Sequence, residues 1–344
     1  MLQLDAVELA GCLDREALID ALENAFRKPH SVPTRQQYRL QPAAAGQSGG
    51  TLLLMPAWNT GGGLGIKIVT VFPDNVLRSL PAVSASYLLL DATNGHPRAI
   101  LDGGELTLRR TGAASALASR HLSSPDSSRL LMVGTGELAP HLIASHALVR
   151  PIREVRIWGR HAGRAQALAA SLARADLSVE FTEDLATATE WADIVSCATL
   201  SKQPLVLGAW LRPGQHLDLV GAFTPEMREV DDDAIARAEL YVDTRAGALG
   251  ESGEILGAMA RGIIDQTAVR GEFSDLASGL FERSTPRAIT IFKSVGTALE
   301  DLVAAELALG TIQNREGREP AGVAHDGASP PSPSGRVPED HPLR

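Results

Sequence analysis

The feature that most constrains this sequence is a glycine-containing turn between an apolar run and a helical pattern, in the stretch RLLMVGTGELAP at residues 129–140. The apolar run at 130–133 is typical of a buried parallel strand. Gly134, Gly136 and Ala139 follow it with the spacing G-x-G-x-x-A. The first glycine permits a tight turn, the second lets the backbone approach a pyrophosphate, and the small third residue lets helix and strand pack closely. Because a helix N-terminus also favours a bound phosphate, the stretch predicts a dinucleotide-binding site.

From this turn onward, short apolar strands alternate with helical segments. The predicted strands cover residues 129–133, 154–158, 178–181, 193–198, 216–221 and 239–243. Alternation of this kind predicts a doubly wound parallel sheet of the Rossmann type. The glycine spacing could also occur in an incidental loop. The alternation of strands and helices around it favours a nucleotide site instead.

The residues before the glycine turn have a mixed, β-rich pattern. It predicts strands at 51–55, 66–72, 87–91 and 99–102, and helices at 14–28 and 107–121. Pro56 is expected to end the first of these strands. In the second, Lys67 is expected on the opposite face from Ile66 and Ile68. The fold class is therefore α/β, with a Rossmann-type parallel sheet and a mixed α+β region before it.

The end of the chain contains one strong helical pattern and then a change of composition. Helical spacing predicts a final helix at 297–309, with Gly310 as its C-cap. From residue 313 to 344 the sequence is dominated by Pro, Gly, Ser and charged residues. We expect this segment to be a disordered tail.

Composition and charge exclude several classes of protein. A length of 344 residues is sufficient for two domains with cores of their own. The net charge of −9 and the lack of a basic run argue against a nucleic-acid partner. Asp5 and Glu8 stand where a signal peptide carries basic residues, and no apolar run has membrane length, so we expect a cytoplasmic protein without a membrane partner. No metal site is expected, because the histidines lack further ligands at the usual spacing.

The residues after the second predicted strand bear on the choice of dinucleotide. An NAD site usually has Asp or Glu there to bind the ribose 2′-hydroxyl, whereas this chain has Trp158, Gly159, Arg160 and His161. Arg160 can pair with a 2′-phosphate, which a carboxylate would repel. This favours NADPH, with NADH as the other candidate. The alternative is that Arg160 is a solvated loop charge.

Several stretches together resemble one family. The stretch RTGAAS at Arg110–Ser115 resembles the RTAAxS signature of the ornithine cyclodeaminase and mu-crystallin family. The other matching stretches are GTLLLMP (50–56), IKIVT (66–70), VRIWGR (155–160), VGAFTPEMREVD (220–231), ESGEI (251–255) and FKSVGTALED (292–301). In the family's order they cover nearly all of residues 35–304.

The resemblance implies a two-domain subunit. A substrate-binding and dimerisation domain would comprise residues 1–120, completed by 296–312, and an NAD(P)-binding Rossmann domain would comprise 121–295. It further implies a homodimer with the active site in the cleft between the domains. The predicted cofactor-binding residues are Thr111, Gly134, Thr135, Gly136, Glu137, Leu138, Trp158, Gly159, Arg160, His161, Ala198, Thr199, Val220, Gly221 and Ser294. For Thr111, helix capping is an equally good interpretation.

Three basic residues match the substrate-binding positions of the family. Arg110 corresponds to the arginine that binds the substrate carboxylate, and Lys67 to the lysine that faces the same carboxylate and the reacting carbon. Arg35 matches less securely, because the neighbouring loops vary in length. An α-imino acid needs its carboxylate fixed by such donors beside the hydride path. Lys67 is the candidate catalytic residue, as a donor or relay of the nitrogen proton. Without the resemblance, Lys67 and Arg110 could equally be surface charges, and Arg35 could pair with a nearby carboxylate.

Two departures from the cyclodeaminase pattern indicate the reaction. Leu53 stands where ornithine cyclodeaminases have an acidic residue, and Phe223 stands at the place of their aspartate. Without these carboxylates ornithine cyclisation is disfavoured, and an apolar pocket suits a small ring. The GAFTPEM motif resembles the Δ1-pyrroline-2-carboxylate reductases of the family. They form L-proline and often accept Δ1-piperideine-2-carboxylate, which gives L-pipecolate.

We therefore expect NADPH-dependent reduction of a cyclic imino acid. Two alternatives remain open. One is an ornithine cyclodeaminase or another NAD-dependent amino-acid dehydrogenase or lyase. The other is a non-catalytic, crystallin-like protein that binds NADPH. Glu251 and Glu254 lie in a family motif, but the sequence assigns them no role.

Overall fold

Two β-sheets, each covered by helices, organise the chain. The computed structural model describes residues 1–42, 48–59 and 62–316. Its strands are β1 Leu2–Leu4, β2 His30–Ser31, β3 Gln36–Leu40, β4 Gly50–Asn59, β5 Gly63–Val71, β6 Val83–Asp91, β7 Pro97–Asp102, β8 Arg129–Val133, β9 Glu154–Trp158, β10 Ser178–Phe181, β11 Ile194–Cys197, β12 His216–Leu219, β13 Glu239–Val242, β14 Val269–Glu272 and β15 Thr290–Lys293. Its helices are α1 Ala6–Cys12, α2 Arg15–Phe26, α3 Gly103–Leu122, α4 Leu138–Val149, α5 Ala162–Leu172, α6 Leu185–Trp191, α7 Asp232–Arg237, α8 Arg245–Glu251, α9 Gly253–Ala260, α10 Phe273–Ala277 and α11 Ala298–Glu316.

The second sheet has the strand order β10-β9-β8-β11-β12-β15-β13-β14. Every pair in it that the structure describes is parallel. The chain winds from β8 through β9 to β10 on one side and then returns to β11 and β12 on the other. This confirms the predicted doubly wound sheet of the Rossmann type. In such a sheet the ligand crevice lies at the carboxyl ends of the strands where the winding reverses, here between β8 and β11.

The first sheet has the order β1-β7-β6-β5-β4-β2, with β3 also paired to β4. Its central strands are antiparallel. β4 continues through Pro56, so the prediction that this proline ends the strand is wrong. β2 and β3 pair with the same edge of β4. The pairing with β3 ends at Leu54 and the pairing with β2 begins at Trp58, so Pro56 lies in the gap between them. A proline is tolerated there because neither strand needs the amide hydrogen that proline lacks.

The alternation predicted for β5 is confirmed, and the face that carries Lys67 is the inner one. Lys67 is 3% exposed, whereas Ile68 is 37% exposed. Helix α11 packs against β4 and β5 on this side. Leu302 and Ala305 of α11 belong to the same buried cluster as Leu22 of α2. The last helix therefore completes the core under the first sheet, while the exact domain boundaries stay a prediction.

Helices α3 and α11 are both longer than predicted. α3 begins at Gly103, with Asp102 Oδ1 accepting a hydrogen bond from Glu105 N at 2.7 Å. A Cβ at Gly103 would lie 2.6 Å from the backbone of Ala85, so the glycine lets the helix start against β6. The prediction that Gly310 caps α11 is wrong, because the helix continues to Glu316.

The buried face of α11 extends beyond Gly310. Ile312 still packs on the buried cluster, so apolar contact outweighs the roughly 1 kcal/mol that a helical glycine costs. Of the tail predicted over 313–344, residues 313–316 are thus helical, and the rest lies outside the described residues. In the described part of the chain, no helix has the length and apolar character needed to cross a bilayer.

A buried polar network connects the Rossmann sheet to the helices that cover it. The His146 ring lies 2.9 Å from Ser119 Oγ and 3.1 Å from Asp218 Oδ2, and Ser196 Oγ donates to the same carboxylate oxygen at 2.7 Å. Burial raises the pKa of Asp218, but His146 and Ser196 outweigh this effect and the net pKa is lowered. The network thus stabilises a charged aspartate inside the domain and ties α3 and α4 to the sheet.

We expect replacement of His146 to destabilise the protein strongly. In His146→Ala the buried Asp218 keeps Ser196 but loses its second partner, and leaving a buried polar group unsatisfied costs about 1–3 kcal/mol, more when the group is charged. Urea unfolding should show this loss of unfolding free energy. His96 lies exposed in the turn between β6 and β7, so His96→Ala should unfold like the wild type. Equal stability of the two variants would contradict a stabilising role for the network.

Candidate active site

The glycine turn joins β8 to α4 at the crevice of the Rossmann sheet. Gly134 has a φ of +128°, a conformation that side-chain-bearing residues rarely adopt. A Cβ on Gly134 would lie 2.5 Å from the carbonyl oxygen of Ala198, whereas nothing lies within 4 Å of one on Gly136. Gly134 is therefore required by the fold, and Gly136 leaves open space beside the start of α4.

The start of α4 has the properties of a phosphate site. Glu137 occupies the N-cap position without a side-chain hydrogen bond to the helix, so the first amides of α4 are not capped by it. Ala139 is buried and brings the helix close to the sheet. Free amides and the helix dipole favour a phosphate at this position. The geometry of the turn is thus suited to a dinucleotide pyrophosphate.

The residues after β9 lie against the same turn. Gly134 N donates to the carbonyl oxygen of Trp158 at 2.9 Å. A Cβ on Gly159 would lie 2.6 Å from Thr135 Cγ2, so the two segments are in direct contact. Arg160 and His161 follow and are exposed. In the described residues neither side chain takes part in a hydrogen bond or an ion pair, so both are free to meet a ligand beside the turn.

Lys67 and Arg110 share a buried carboxylate on the last helix. Lys67 Nζ lies 2.8 Å from Asp301 Oδ2 and 3.0 Å from Oδ1. Arg110 Nε lies 3.1 Å from Asp301 Oδ1, and its Nη1 donates to Glu300 Oε2. Arg110 is 6% exposed, and both acids are fully buried. Strand β5, helix α3 and helix α11 thus bring two cations and two acids together.

Burial controls the protonation of this cluster. Burial lowers the pKa of Lys67 to about 8. The charge of Arg110 also lowers it, whereas the charge of Asp301 raises it. Burial also raises the pKa of Glu300 to about 7, although the charge of Arg110 lowers it. Lys67 can therefore gain and lose a proton near neutral pH, which a lysine in water does not do.

Arg35 lies across the same region. Its Nη2 donates to the carbonyl oxygens of Val295 and Gly296 at 3.0 and 2.9 Å, and its Nε lies 2.9 Å from Glu251 Oε1. Gly296, with a φ of +83°, is also in contact with Arg110, since a Cβ there would lie 3.0 Å from Arg110 Nη1. Arg35 and Arg110 therefore meet at the backbone of Gly296, and Lys67 is joined to Arg110 through Asp301.

A cavity of about 440 Å³ opens beside this segment and is large enough for a small ring and part of a cofactor. Arg35, Met55, Glu251 and Thr297 are among its lining residues. Met55 pairs with Lys67 across the sheet, and Leu53 is two residues further along the same face. Leu53 is thus diagonal to Lys67 on the same face of the sheet; its place in the substrate pocket stays a prediction.

Phe223 lies in the loop after β12, in the second half of the chain. Its side chain is 42% exposed, and the loop lies at the carboxyl edge of the sheet, where Val220 and Gly221 also lie.

Thr111 is buried in the middle of α3, which excludes the helix-capping interpretation. A Cβ on the next residue, Gly112, would lie 2.8 Å from Ser145 Oγ in α4.

Sequence reasoning missed the acids that position the basic residues. Glu300 and Asp301 lie in the FKSVGTALED stretch, but nothing in their spacing indicated that they would face Lys67 and Arg110. Asp243 was also missed. It accepts hydrogen bonds from Ser294 Oγ at 3.1 Å, from the amide of Val295 at 2.7 Å and from the amide of Gly296 at 2.6 Å. The signal for Asp243 was its place at the end of a predicted strand, where a buried polar residue commonly serves a site.

We expect Gly136→Ala and Gly134→Ala to separate cofactor binding from folding. Gly136→Ala should fold normally but lose most of its affinity for a dinucleotide, because the new methyl group lies where the pyrophosphate approaches. Gly134→Ala should lower thermal stability, because its Cβ would collide with the backbone of Ala198. Thermal melts and fluorescence titration with the reduced dinucleotide measure the two effects. Tight binding by a folded Gly136→Ala protein would contradict this placement.

Comparison with known proteins agrees with this geometry. The Δ1-pyrroline-2-carboxylate reductase of Paracoccus denitrificans is 40% identical over 288 residues, which cover 83% of this chain and 90% of that protein. The structure of the Thermococcus litoralis Δ1-pyrroline-2-carboxylate reductase in complex with NADH and L-proline superposes with a TM-score of 0.86 at 31% identity, covering 92% of this chain and 98% of that one.

A third similar protein is an archaeal alanine dehydrogenase, solved as a dimer with bound NAD. Its TM-score is 0.83 at 27% identity, and the match covers 92% of this chain and 97% of that one. These relatives confirm the expectation of a nicotinamide-dependent oxidoreductase. The model of the ornithine cyclodeaminase/mu-crystallin family matches residues 1–316. The chain belongs to that family.

Proposed function

We propose that the protein reduces a cyclic imino acid with NADPH. The substrate is Δ1-pyrroline-2-carboxylate, with Δ1-piperideine-2-carboxylate as a six-membered analogue, and the products are L-proline and L-pipecolate. The observation that carries the proposal is the buried pair of Lys67 and Arg110, held by Asp301 beside Arg35 and a cavity. Two relatives that are named reductases of this substrate support it.

In this proposal the basic residues orient the substrate. Arg110 Nη1 and Nε are engaged by Glu300 and Asp301, which leaves Nη2 to donate to the substrate carboxylate. Arg35, held by Glu251 in the free protein, supplies a further donor. A carboxylate fixed in this way presents the C=N carbon in one orientation, and such positioning accounts for a large part of enzymatic rate.

Lys67 then handles the nitrogen proton. As an ammonium group with a pKa of about 8 it can protonate the imine nitrogen at neutral pH. Asp301 holds it at that point by contacts of 2.8 and 3.0 Å. Protonation makes the neighbouring carbon electrophilic. The nicotinamide, when bound, supplies a hydride to that carbon.

Leu53 argues for a ring without a second charged group. It lies on the face of β4 that carries Met55, next to Lys67. An amine on the substrate side chain would have no carboxylate partner at Leu53, and an unpaired buried charge is strongly unfavourable. We assign Phe223 to the opposite side of the ring. The cyclodeaminase alternative, which needs a diamino acid, is therefore disfavoured.

The same proposal includes the assembly and the cofactor. We propose a cytoplasmic homodimer, in line with the archaeal alanine dehydrogenase, which was solved as a dimer. The predicted cofactor residues would hold the pyrophosphate at Gly134–Leu138, the adenosine ribose at Trp158–His161, and the nicotinamide near Ala198, Thr199, Gly221 and Ser294. The exposed and unpaired Arg160 supports NADPH over NADH.

The first test is reduction of the imine by the wild-type protein. We expect NADPH to be oxidised when Δ1-pyrroline-2-carboxylate is added, with L-proline as the product detected by chromatography. NADH should support a slower reaction. Proline formation from ornithine and NAD, without imine reduction, would contradict the proposal and point to a cyclodeaminase.

Lys67→Met should remove catalysis but not cofactor binding. The variant lacks the positioned proton donor, which commonly contributes about 10²–10⁴-fold to the rate. In the wild type, kcat for imine reduction should fall as the pH rises above the Lys67 pKa of about 8, because the neutral amine has no proton to give. Lys28→Met, at an exposed position after α2, is the matched control. Loss of NADPH affinity in Lys67→Met would exclude the catalytic role.

Arg160→Ala should change the preference for the cofactor. Loss of one charge-assisted contact to a phosphate should raise KM for NADPH roughly 10- to 100-fold and leave KM for NADH unchanged. Arg153→Ala is the control, since Arg153 is also exposed but immediately precedes the N-terminal end of β9, whereas Arg160 follows its C-terminal end. An equal effect of Arg160→Ala on both cofactors would disprove the assignment.

A further inference from the structure

Glu229 connects the segments that follow two neighbouring strands of the Rossmann sheet. It lies in the loop between β12 and α7 and is fully buried. Its Oε1 accepts hydrogen bonds from Thr199 N at 2.7 Å and from Thr199 Oγ1 at 2.9 Å. Its Oε2 accepts from Gly221 N at 2.9 Å. One carboxylate thus satisfies three donors from the segments after β11 and β12.

The two bridged segments also touch directly. A Cβ on Gly221 would lie 2.1 Å from the carbonyl oxygen of Thr199 and 2.4 Å from Glu229 Oε1. The two backbones are therefore in contact at Gly221, where a side chain would not fit. Each segment leads to an exposed apolar side chain, Leu200 at 67% and Phe223 at 42%. Both side chains thus follow closely on residues that Glu229 holds.

Other charged groups surround this carboxylate. Glu254 of α9 accepts from Glu229 N at 2.8 Å, and Lys293 Nζ of β15 lies 3.5 Å from Glu254 Oε2. The buried thiol of Cys197 in β11 and the carboxylate of Asp218 in β12 lie in the same interior. Burial raises the pKa of Glu229 to about 7, with Lys293 lowering it and Glu254 raising it.

We propose that ionised Glu229 is a positioning residue that locks the segments at Thr199 and Gly221 together and so shapes the nicotinamide end of the cofactor site. This inference rests on the proposed function, which places the dinucleotide at that edge. Only the ionised form offers lone pairs to all three donors without a proton of its own between them. Protonation places an O–H group against one of these donors and loosens one segment.

The test compares Glu229→Gln with Glu226→Gln. Glu226 lies three residues earlier in the same loop and is exposed, so its replacement removes the same charge without touching the bridge. Fluorescence titration measures the Kd of NADH between about pH 6 and about pH 8, where Glu229 changes protonation. NADH is preferred because it lacks the 2′-phosphate, a group that itself titrates near pH 6.

In the wild type, NADH affinity should weaken severalfold as the pH falls through the pKa of Glu229. Glu229→Gln should bind about tenfold more weakly than wild type at the alkaline end, consistent with loss of one hydrogen bond to a charged group. Its affinity should not change with pH, and in turnover its cofactor KM should rise more than kcat falls. Glu226→Gln should follow the wild type throughout. Wild-type affinity and pH dependence in Glu229→Gln would overturn the proposal.

Two further results keep this test separate from folding and from the imine reaction. If Glu229→Gln fails to fold, the pH dependence of NADH binding by the wild type decides, and a flat profile overturns the inference. Binding of NADH without reduction of any imine would refute the proposed function but leave the Glu229 test intact. Absence of binding of both NADH and NADPH by the wild type would overturn both.

Discussion

The candidate site depends on the compensation of buried charges by the last helix. Lys67 and Arg110 come from different elements of the first half of the chain, and neither position offers its cation enough water. Asp301 contacts both, and Glu300 contacts Arg110. A buried cation without a partner would be neutralised or would destabilise the fold. The acids therefore allow two cations to be kept ready for a substrate carboxylate inside the protein.

The Rossmann sheet contributes a second, separate set of fixed groups. Asp243 holds the segment at Val295 and Gly296, while Glu229 holds those at Thr199 and Gly221. In both cases a buried carboxylate accepts hydrogen bonds from backbone amides after a parallel strand. Backbone held in this way is rigid, and a rigid site can bind its ligand without a large loss of entropy.

Much of the fold could be predicted from local patterns. The glycine turn, the alternation of strands and helices, and the alternation in β5 each have a short-range physical cause. The errors have causes that are not local. Pro56 remains within β4 because of a gap between two partner strands, and α11 continues past Gly310 because Ile312 meets a core formed by distant residues. β14 was missed because its four residues, VRGE, have no clear apolar period, and β15, with the sequence TIFK, was missed although it is buried.

The site was predictable in part for the same reason. Lys67, Arg110 and Arg35 were found through the resemblance; in the structure Arg35 and Arg110 meet at Gly296, and Asp301 joins Arg110 to Lys67. Their acidic partners were not found, because ion pairs such as Lys67 with Asp301 join residues far apart in the chain. Spacing along a sequence carries no information about such contacts.

The position of α11 in the chain affects the order in which this protein can mature. Residues 298–316 pack on a sheet whose strands are complete by residue 102. During synthesis the early strands emerge long before α11, the helix that covers them. Until α11 is made, the core of the first sheet is incomplete, and Lys67 and Arg110 lack their acidic partners. Contacts over such a sequence separation slow folding and expose apolar surface meanwhile. The first half of the chain can thus reach its native state only after residues 298–316 have left the ribosome.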